Sequence, residues 1–178
     1  TKAIEVLTFL NDRRLATGTK KRSSTLQVVR ESLTALFNTA PKINVNGSSL
    51  YRQIDWSTRD ALRPPQQPEK ILVVNAREFP PEGDTCDARL ICAAYKLGWR
   101  QFLCYGYKGQ RFTGCGLLDN TDGVRIDVYD SSGDYLASGI DGLEIHVHGN
   151  AQDQLGQIMK RGKLVIHGDV GQTFMYGA

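Results

Sequence analysis

The feature that most constrains the fold of this chain is a repeat that runs from about Phe102 to Ala178. The repeat is anchored on four equivalent positions separated by 24, 19 and 19 residues, namely Gly106, Asp130, Gly149 and Gly168. The five extra residues of the first interval fit the polar segment 118–122. Apolar residues stand four and two positions before every anchor: Phe102 and Cys104, Ile126 and Val128, Ile145 and Val147, Leu164 and Ile166. This alternation with period two predicts a half-buried strand in each repeat.

Glycine marks the corner that follows each predicted strand. We predict structural corners at Gly106, Gly109, Gly133, Gly149, Gly168 and Gly171, because a chain that turns this tightly needs a positive φ in each repeat. A polar column follows the corners at Gln110, Asp134, Asp153 and Gln172, and an apolar column stands two positions further on, at Phe112, Leu136, Leu155 and Phe174. The polar column is expected to hydrogen-bond the corners. Adjacent carboxylates repel when both are buried, so one of them is expected to be exposed or near Arg111.

Repeats of this kind predict a solenoid. A strand, a glycine corner and a second short strand cannot bury one face alone, whereas stacked repeats form continuous apolar columns. We therefore expect an α+β, mainly β fold: a right-handed single-stranded β-helix preceded by a small helical N-terminal region. Helices are predicted over 25–38 and 85–97, and the polar, proline-containing segment 51–70 predicts a linker. The expected domains are 1–70, helical or mixed, and 71–178, the β-helix with its lead-in helix.

The repeat also resembles a known family. Three segments, 108–114, 147–156 and 161–171, look like the GXGXG repeat. That family includes the C-terminal β-helix of the glutamate synthase large subunit, stand-alone homologues of that domain, and the β-helical subunit of formylmethanofuran dehydrogenase. The resemblance covers about residues 84–178 and implies a right-handed β-helix without catalytic residues.

The function implied by the resemblance is structural. We expect a non-catalytic assembly subunit or domain of a glutamate-synthase-like complex, a scaffold for protein–protein interaction in glutamate biosynthesis. This chain is expected to hold no cofactor, with FMN and iron–sulfur clusters on partner subunits, since a barrel of about 250 residues for FMN would not fit here. The alternatives are an assembly subunit of a formylmethanofuran-dehydrogenase-like complex and an independent ligand-binding solenoid.

Partners are expected at the end of the repeat. The helix of this family typically continues for several more turns than this sequence contains, and an uncapped end exposes strand N–H and C=O groups. We therefore expect truncation or a partner chain beyond Ala178, either another subunit of the complex or a second copy that associates through the open solenoid end.

One predicted column carries aromatic and histidine side chains. If Ile145 and Val147 point inward, then Tyr105, Tyr129, His148 and His167 form an outward stripe, and Asp127 lies beside His146 in the neighbouring column. We interpret the stripe as a candidate docking face, because tyrosine is favoured at interfaces. A histidine and aspartate cluster could instead bind zinc or act as acid and base, although solenoids often stack like residues on a solvent face without any chemistry. We predict no catalytic, cofactor or metal residue.

Composition excludes several other classes. The net charge of +3 is too small to indicate nucleic-acid binding without a focused basic face, and the run Lys20-Lys21-Arg22 is short. No apolar stretch is long enough to span a membrane, and the first residues carry no signal-peptide pattern. The four cysteines match no metal spacing and are expected to be reduced thiols in a cytoplasmic protein.

Overall fold

The computed structural model describes residues 2–13, 15–117 and 120–178. The chain divides into two compact units, Thr1–Ala40 and Pro41–Ala178. The insertion predicted at 118–122 lies partly outside the described residues. None of the described helices is long and apolar enough to cross a membrane.

The first unit consists of two helices, α1 (Lys2–Asp12) and α2 (Arg22–Asn38). The predicted helix over 25–38 is confirmed, with a start three residues earlier. Val29, Leu33 and Phe37 are buried at intervals of four residues, which places them on one face of α2. Within this unit Arg30 Nε donates a 3.0 Å hydrogen bond to Asn11 Oδ1.

The second unit is a six-stranded, all-parallel sheet. Its strands follow sequence order as β1 (Tyr51–Ile54), β2 (Ile71–Asn75), β3 (Gln101–Tyr105), β4 (Arg125–Val128), β5 (Asp141–Val147) and β6 (Arg161–Ile166). A 3-10 helix (Trp56–Ala61) lies between β1 and β2, and α3 (Asp87–Lys96) lies between β2 and β3. The helix predicted over 85–97 is confirmed as α3, and Gly98 follows it with a φ of +108°.

The predicted β-helix is wrong. The strands form one open parallel sheet of the α/β type, and two of them, β1 and β2, precede the repeat altogether. The predicted linker over 51–70 is also wrong, because it contains β1 and the 3-10 helix. Similar strands at equal spacing predict parallel pairing in register. An open parallel sheet has this pairing, and so does a β-helix. The repeat therefore predicts the register without deciding between the two architectures.

The predicted register is confirmed. Phe102, Ile126, Ile145 and Leu164 are paired in succession across β3 to β6, and Cys104, Val128, Val147 and Ile166 form the second column. The members from β3, β4 and β5 are buried, and those of β6 are half-buried. The two columns form the core that holds the repeat together.

Glycine is required at the predicted corners for two different physical reasons. Gly106 and Gly109 have a positive φ, as predicted. Gly133, Gly149, Gly168 and Gly171 do not, but a Cβ at any of them would lie between 2.0 and 2.3 Å from an atom of the preceding repeat. At these four positions glycine is required by close approach of the chain and not by the left-handed conformation.

Further along each repeat lies a left-handed position that is not glycine in any of the four repeats. Phe112, Tyr135, Gln154 and Thr173 have φ values between +58° and +64°. Phe112 stacks on Tyr135 with ring centroids 5.2 Å apart, so Phe112 does not belong to the apolar column predicted with Leu136. The polar column is confirmed for three of its four members, since Asp134 Oδ1 accepts the N–H of Asp153 and Asp153 Oδ1 accepts that of Gln172. The Gln110 side chain instead donates to the carbonyl of Ala76. Arg111 pairs with Asp134 at 2.6 Å.

Candidate functional site

The predicted stripe of aromatic and histidine side chains is assembled at the carboxyl ends of the strands. Tyr129, His148 and His167 donate backbone hydrogen bonds of 2.7–2.9 Å to the preceding strand at equivalent positions. Their rings stack, with centroids 4.5 Å apart for Tyr129 and His148 and 5.2 Å apart for His148 and His167. Tyr129 and His148 are buried and His167 is half-buried, and the docking role expected of this stripe stays a prediction.

Tyr105 serves a different purpose from the rest of the stripe. Its hydroxyl accepts a 2.5 Å hydrogen bond from Gln53 Nε2, and both residues are buried. Burial raises the pKa of the Tyr105 phenol. This contact ties β3 to β1 inside the sheet unit, so Tyr105 is a structural residue.

Two carboxylates bind two of the histidines. Asp127 Oδ1 lies 3.0 Å from His148 Nε2, and Glu144 Oε1 lies 2.6 Å from His146 Nε2. Arg125 donates two further hydrogen bonds to Asp127, of 2.8 and 2.9 Å. Asp127 and His146 are register partners, as predicted, but the side chain of Asp127 reaches His148. The sequence pattern does not predict either pair, because it relates only residues that are register partners within one column.

These contacts keep both carboxylates ionised. Burial raises the pKa of Asp127, but hydrogen bonds from His148 and Arg125 outweigh burial and lower it to about 2. The hydrogen bond from His146 is the largest of the effects that lower the pKa of Glu144, followed by Lys163. The arrangement therefore provides imidazoles that are oriented by fixed negative charges.

The outer edge of the sheet at β6 exposes apolar side chains that earlier repeats bury. Phe174 is 45% exposed, whereas Leu155, the equivalent residue one repeat earlier, is 0% exposed. Val170 is 47% exposed, whereas its bridge partner Ala151 is 5% exposed. Tyr176 is 73% exposed. This edge combines apolar surface with strand N–H and C=O groups, which makes it suited to strand addition.

Charges alternate in sign across the same strands. Arg125, Glu144 and Lys163 are register partners on β4, β5 and β6, and Glu144 lies 3.4 Å from Arg125 and 3.3 Å from Lys163. The Lys163 side chain on the edge strand is 60% exposed. A strand placed beside β6 would continue the alternation with an acidic residue opposite Lys163.

A cavity of about 330 Å³ lies at the amino end of α3, and no sequence pattern predicted it. Cys86, Cys92, Cys115 and Arg89 contribute to its lining. Burial raises the pKa of the Cys92 thiol and raises that of Cys115 to about 11. These two thiols are therefore protonated at neutral pH and are weak nucleophiles. All four cysteines are described, and none forms a disulfide.

Comparisons with known proteins identify no family: no family model matches the chain, and no curated protein or solved structure shows significant similarity to it. The resemblance to the GXGXG repeat consequently stays a hypothesis that rests on the quoted residues.

Proposed function

We propose that residues 41–178 form a non-catalytic assembly module of a glutamate-synthase-like complex, which binds its partner subunit by adding a parallel strand beside β6. The observation that carries this proposal is the exposure of Val170, Phe174 and Tyr176 on the outermost described repeat. The link to glutamate synthase is supported by the sequence resemblance alone, and the geometry of the edge supports the mode of assembly.

The chemistry of the edge specifies the strand that it accepts. An added strand would place two apolar residues against Leu164 and Ile166, which are half-buried and continue the core columns. An acidic residue would stand opposite Lys163, because register partners of opposite charge stabilise a sheet. The expected partner segment is therefore a strand with an acidic residue followed by alternating apolar residues.

The test is affinity purification of the full-length gene product from its native host, followed by mass spectrometry and flavin and iron analysis of the eluate. We expect an FMN- and iron–sulfur-containing oxidoreductase subunit of the glutamate synthase type. The double variant Phe174→Asp/Tyr176→Asp is expected to recover at least about tenfold less of it. Val6→Asp/Phe9→Asp is the matched control, since both side chains are exposed but lie on α1.

Several outcomes would overturn this proposal. Partners from a molybdenum or tungsten enzyme would favour the formylmethanofuran-dehydrogenase alternative. A stable homodimer in sedimentation equilibrium, lost in the edge variant, would assign the edge to a second copy of the chain. If the edge variant lowers the Tm but recovers the partner unchanged, the edge is covered by other residues of the same chain.

A further inference from the structure

The positive charge of the chain is concentrated in its first 40 residues, which form one of the two compact units. This segment contains seven Lys and Arg against three Asp and Glu, a net charge of +4, whereas residues 41–178 contain 15 against 16, a net charge of −1. The described cations of the unit are all exposed, and none forms an ion pair with another described residue: Lys2, Arg13, Lys20, Lys21, Arg22 and Arg30. The unit therefore carries positive charge that the described carboxylates do not compensate.

Helix α1 places exposed apolar side chains between two of these cations. Lys2, Val6, Phe9 and Arg13 follow one another at intervals of four, three and four residues, which puts them on one face of the helix. Val6 is 58% exposed, Phe9 52%, and Leu10 beside them 37%. Arg13 continues the helical turn, since its N–H donates to the Phe9 carbonyl, and its guanidinium lies 5.3 Å from the centre of the Phe9 ring. We call these five residues the α1 surface.

The opposite face of α1 stabilises the unit. Asn11 is buried, Ile4 and Leu7 are half-buried, and α1 packs against α2. Asn11 also accepts the hydrogen bond from Arg30 of α2. A single exposed apolar side chain is common in proteins, but several in contact on one helix face indicate a binding surface. The apolar side chains of the α1 surface are thus left for a partner.

The chemistry of the α1 surface matches that of an anionic lipid bilayer. An amphipathic helix lies in the plane of such a surface, with its apolar side chains at the boundary of headgroups and acyl chains, while Lys and Arg reach the headgroups. At a rise of 1.5 Å per residue, Lys2 and Arg13 stand about 16 Å apart, with the apolar side chains between them. The two acidic residues of α1, Glu5 and Asp12, lie to one side. A nucleic acid would use the cations but not the apolar centre.

We propose that the α1 surface is a peripheral binding site for anionic phospholipid at a bilayer surface. Val6, Phe9 and Leu10 enter the boundary between headgroups and acyl chains, and Lys2 and Arg13 bind headgroup phosphates. The run Lys20-Lys21-Arg22 adds attraction to the negative surface, because each cation near an anionic leaflet contributes to binding. The site lies within residues 1–40 and does not depend on the assembly function proposed for residues 41–178.

The experiment measures sedimentation of the full chain with vesicles of phosphatidylcholine alone and with vesicles that contain roughly one third phosphatidylserine. We expect binding to the anionic vesicles only, and weaker binding as the salt concentration rises. Val6→Gln/Phe9→Gln, which keeps the net charge, is expected to weaken binding at least about tenfold. Lys2→Gln/Arg13→Gln is expected to weaken it about 10- to 30-fold.

Two control variants match these changes at positions outside the α1 surface. Val45→Gln removes an apolar side chain that is 52% exposed, as Phe9 is. Lys70→Gln/Lys108→Gln removes two exposed cations and changes the net charge by the same amount as Lys2→Gln/Arg13→Gln. Both controls should bind the anionic vesicles as the parent does, apart from a small uniform effect of charge in the second.

A further variant reports the contact itself. Phe9→Trp keeps an aromatic side chain on the α1 surface, and its fluorescence is obtained as the difference from the parent chain. Lipids with bromine in the acyl chains should quench the introduced tryptophan in anionic vesicles.

The proposal is overturned if the parent does not bind anionic vesicles, if both α1-surface variants bind them as the parent does, or if the introduced tryptophan is not quenched. Without vesicle binding, DNA binding that requires Lys2 and Arg13 but not Phe9 would assign the cations to a nucleic acid. Loss of an acidic protein partner in the same variants, again without vesicle binding, would make the α1 surface a protein interface.

Discussion

Arg52 Nε donates a 2.5 Å hydrogen bond to Glu69 Oε1, and both side chains are only 2% exposed. Arg63 adds two hydrogen bonds to the same carboxylate, of 2.7 and 2.8 Å, and the N–H of Gln66 adds another. The charge of Glu69 is thus compensated by two guanidinium groups inside the sheet unit. Removal of one member of such a buried pair leaves uncompensated charge in the interior.

Glu69→Gln is therefore expected to destabilise the protein by about 3–5 kcal/mol in urea denaturation at pH 7. The hydrogen bonds from Arg63 are the main cause that lowers the pKa of Glu69, from 4.5 to about 2. A lowered pKa stabilises the folded state above the unfolded value, so this contribution should be lost as the pH falls from 4.5 towards 2. Asp60→Asn is the control, because its pair with Arg59 spans 3.7 Å and Asp60 is exposed. An equal effect of both changes would contradict the prediction.

The Arg52 and Glu69 pair also shows which part of the fold the sequence does not predict. Apolar alternation predicts the register of β3 to β6, because apolar residues occupy equivalent alternate positions of these strands. The same reasoning treated 51–70 as a linker, because Arg52, Gln53 and Glu69 are polar and gave no sign of burial. Their burial depends on partners from distant parts of the chain, which a local pattern does not contain.

The sequence likewise predicts one part of the candidate site and misses another. The repeat predicts that Tyr129, His148 and His167 are neighbours, and their rings stack. The carboxylate partners depend on how far each side chain reaches across the sheet, and Asp127 reaches the histidine two positions beyond its register partner. Sequence spacing specifies which backbones are neighbours, whereas side-chain reach decides which groups bind.

Substitution of Gly149 tests whether glycine is required there because a Cβ has no space, and not because the backbone is left-handed. A Cβ at Gly149 would lie 2.1 Å from the carbonyl oxygen of Asp130, and backbone cannot give way as a flexible side chain can. Gly149→Asn should destabilise the protein by about 3 kcal/mol or more in thermal denaturation. Gly109→Asn should cost much less, because Gly109 has open space and asparagine tolerates its φ of +89°. Similar losses at both positions would show that close approach is not the cause.

The Asp87 carboxyl makes the stability of the folded state depend on pH in the opposite direction from Glu69. Among the described residues neither of its carboxylate oxygens has a hydrogen-bond partner. Burial raises the pKa of Asp87 to about 6, although the nearby hydroxyl of Tyr107 acts in the other direction. That hydroxyl lies 3.0 Å from Thr113 Oγ1 instead. Because the folded state holds this proton more tightly than the unfolded state, stability falls as the pH rises from about 4 to 6.

Asp87→Asn should remove this penalty. A shift of about two pKa units corresponds to about 3 kcal/mol, from which the lost attraction to the amino end of α3 subtracts up to about 1 kcal/mol. We expect the variant to gain about 2 kcal/mol at pH 7 and nothing at pH 4, measured by urea denaturation at both pH values. Asp84→Asn, exposed and close in sequence, should change neither value. A variant that is less stable than the parent at pH 7 would show that the Asp87 carboxylate is satisfied.

Ile158 occupies a position that three other repeats give to glycine. Its φ is +47°, whereas the equivalent Gly116, Gly139 and Gly177 have φ values of +70° to +76°. A β-branched residue is strained there by about 1–2 kcal/mol, while glycine costs about 0.5–1 kcal/mol of chain entropy. Ile158 is 65% exposed, so little packing is lost with its side chain. Ile158→Gly should therefore raise the free energy of unfolding by up to about 1 kcal/mol, measured by thermal denaturation. Ile158→Ala keeps the strained φ and should give no comparable gain, and an equal gain in both variants would mean that side-chain exposure, not backbone strain, is relieved.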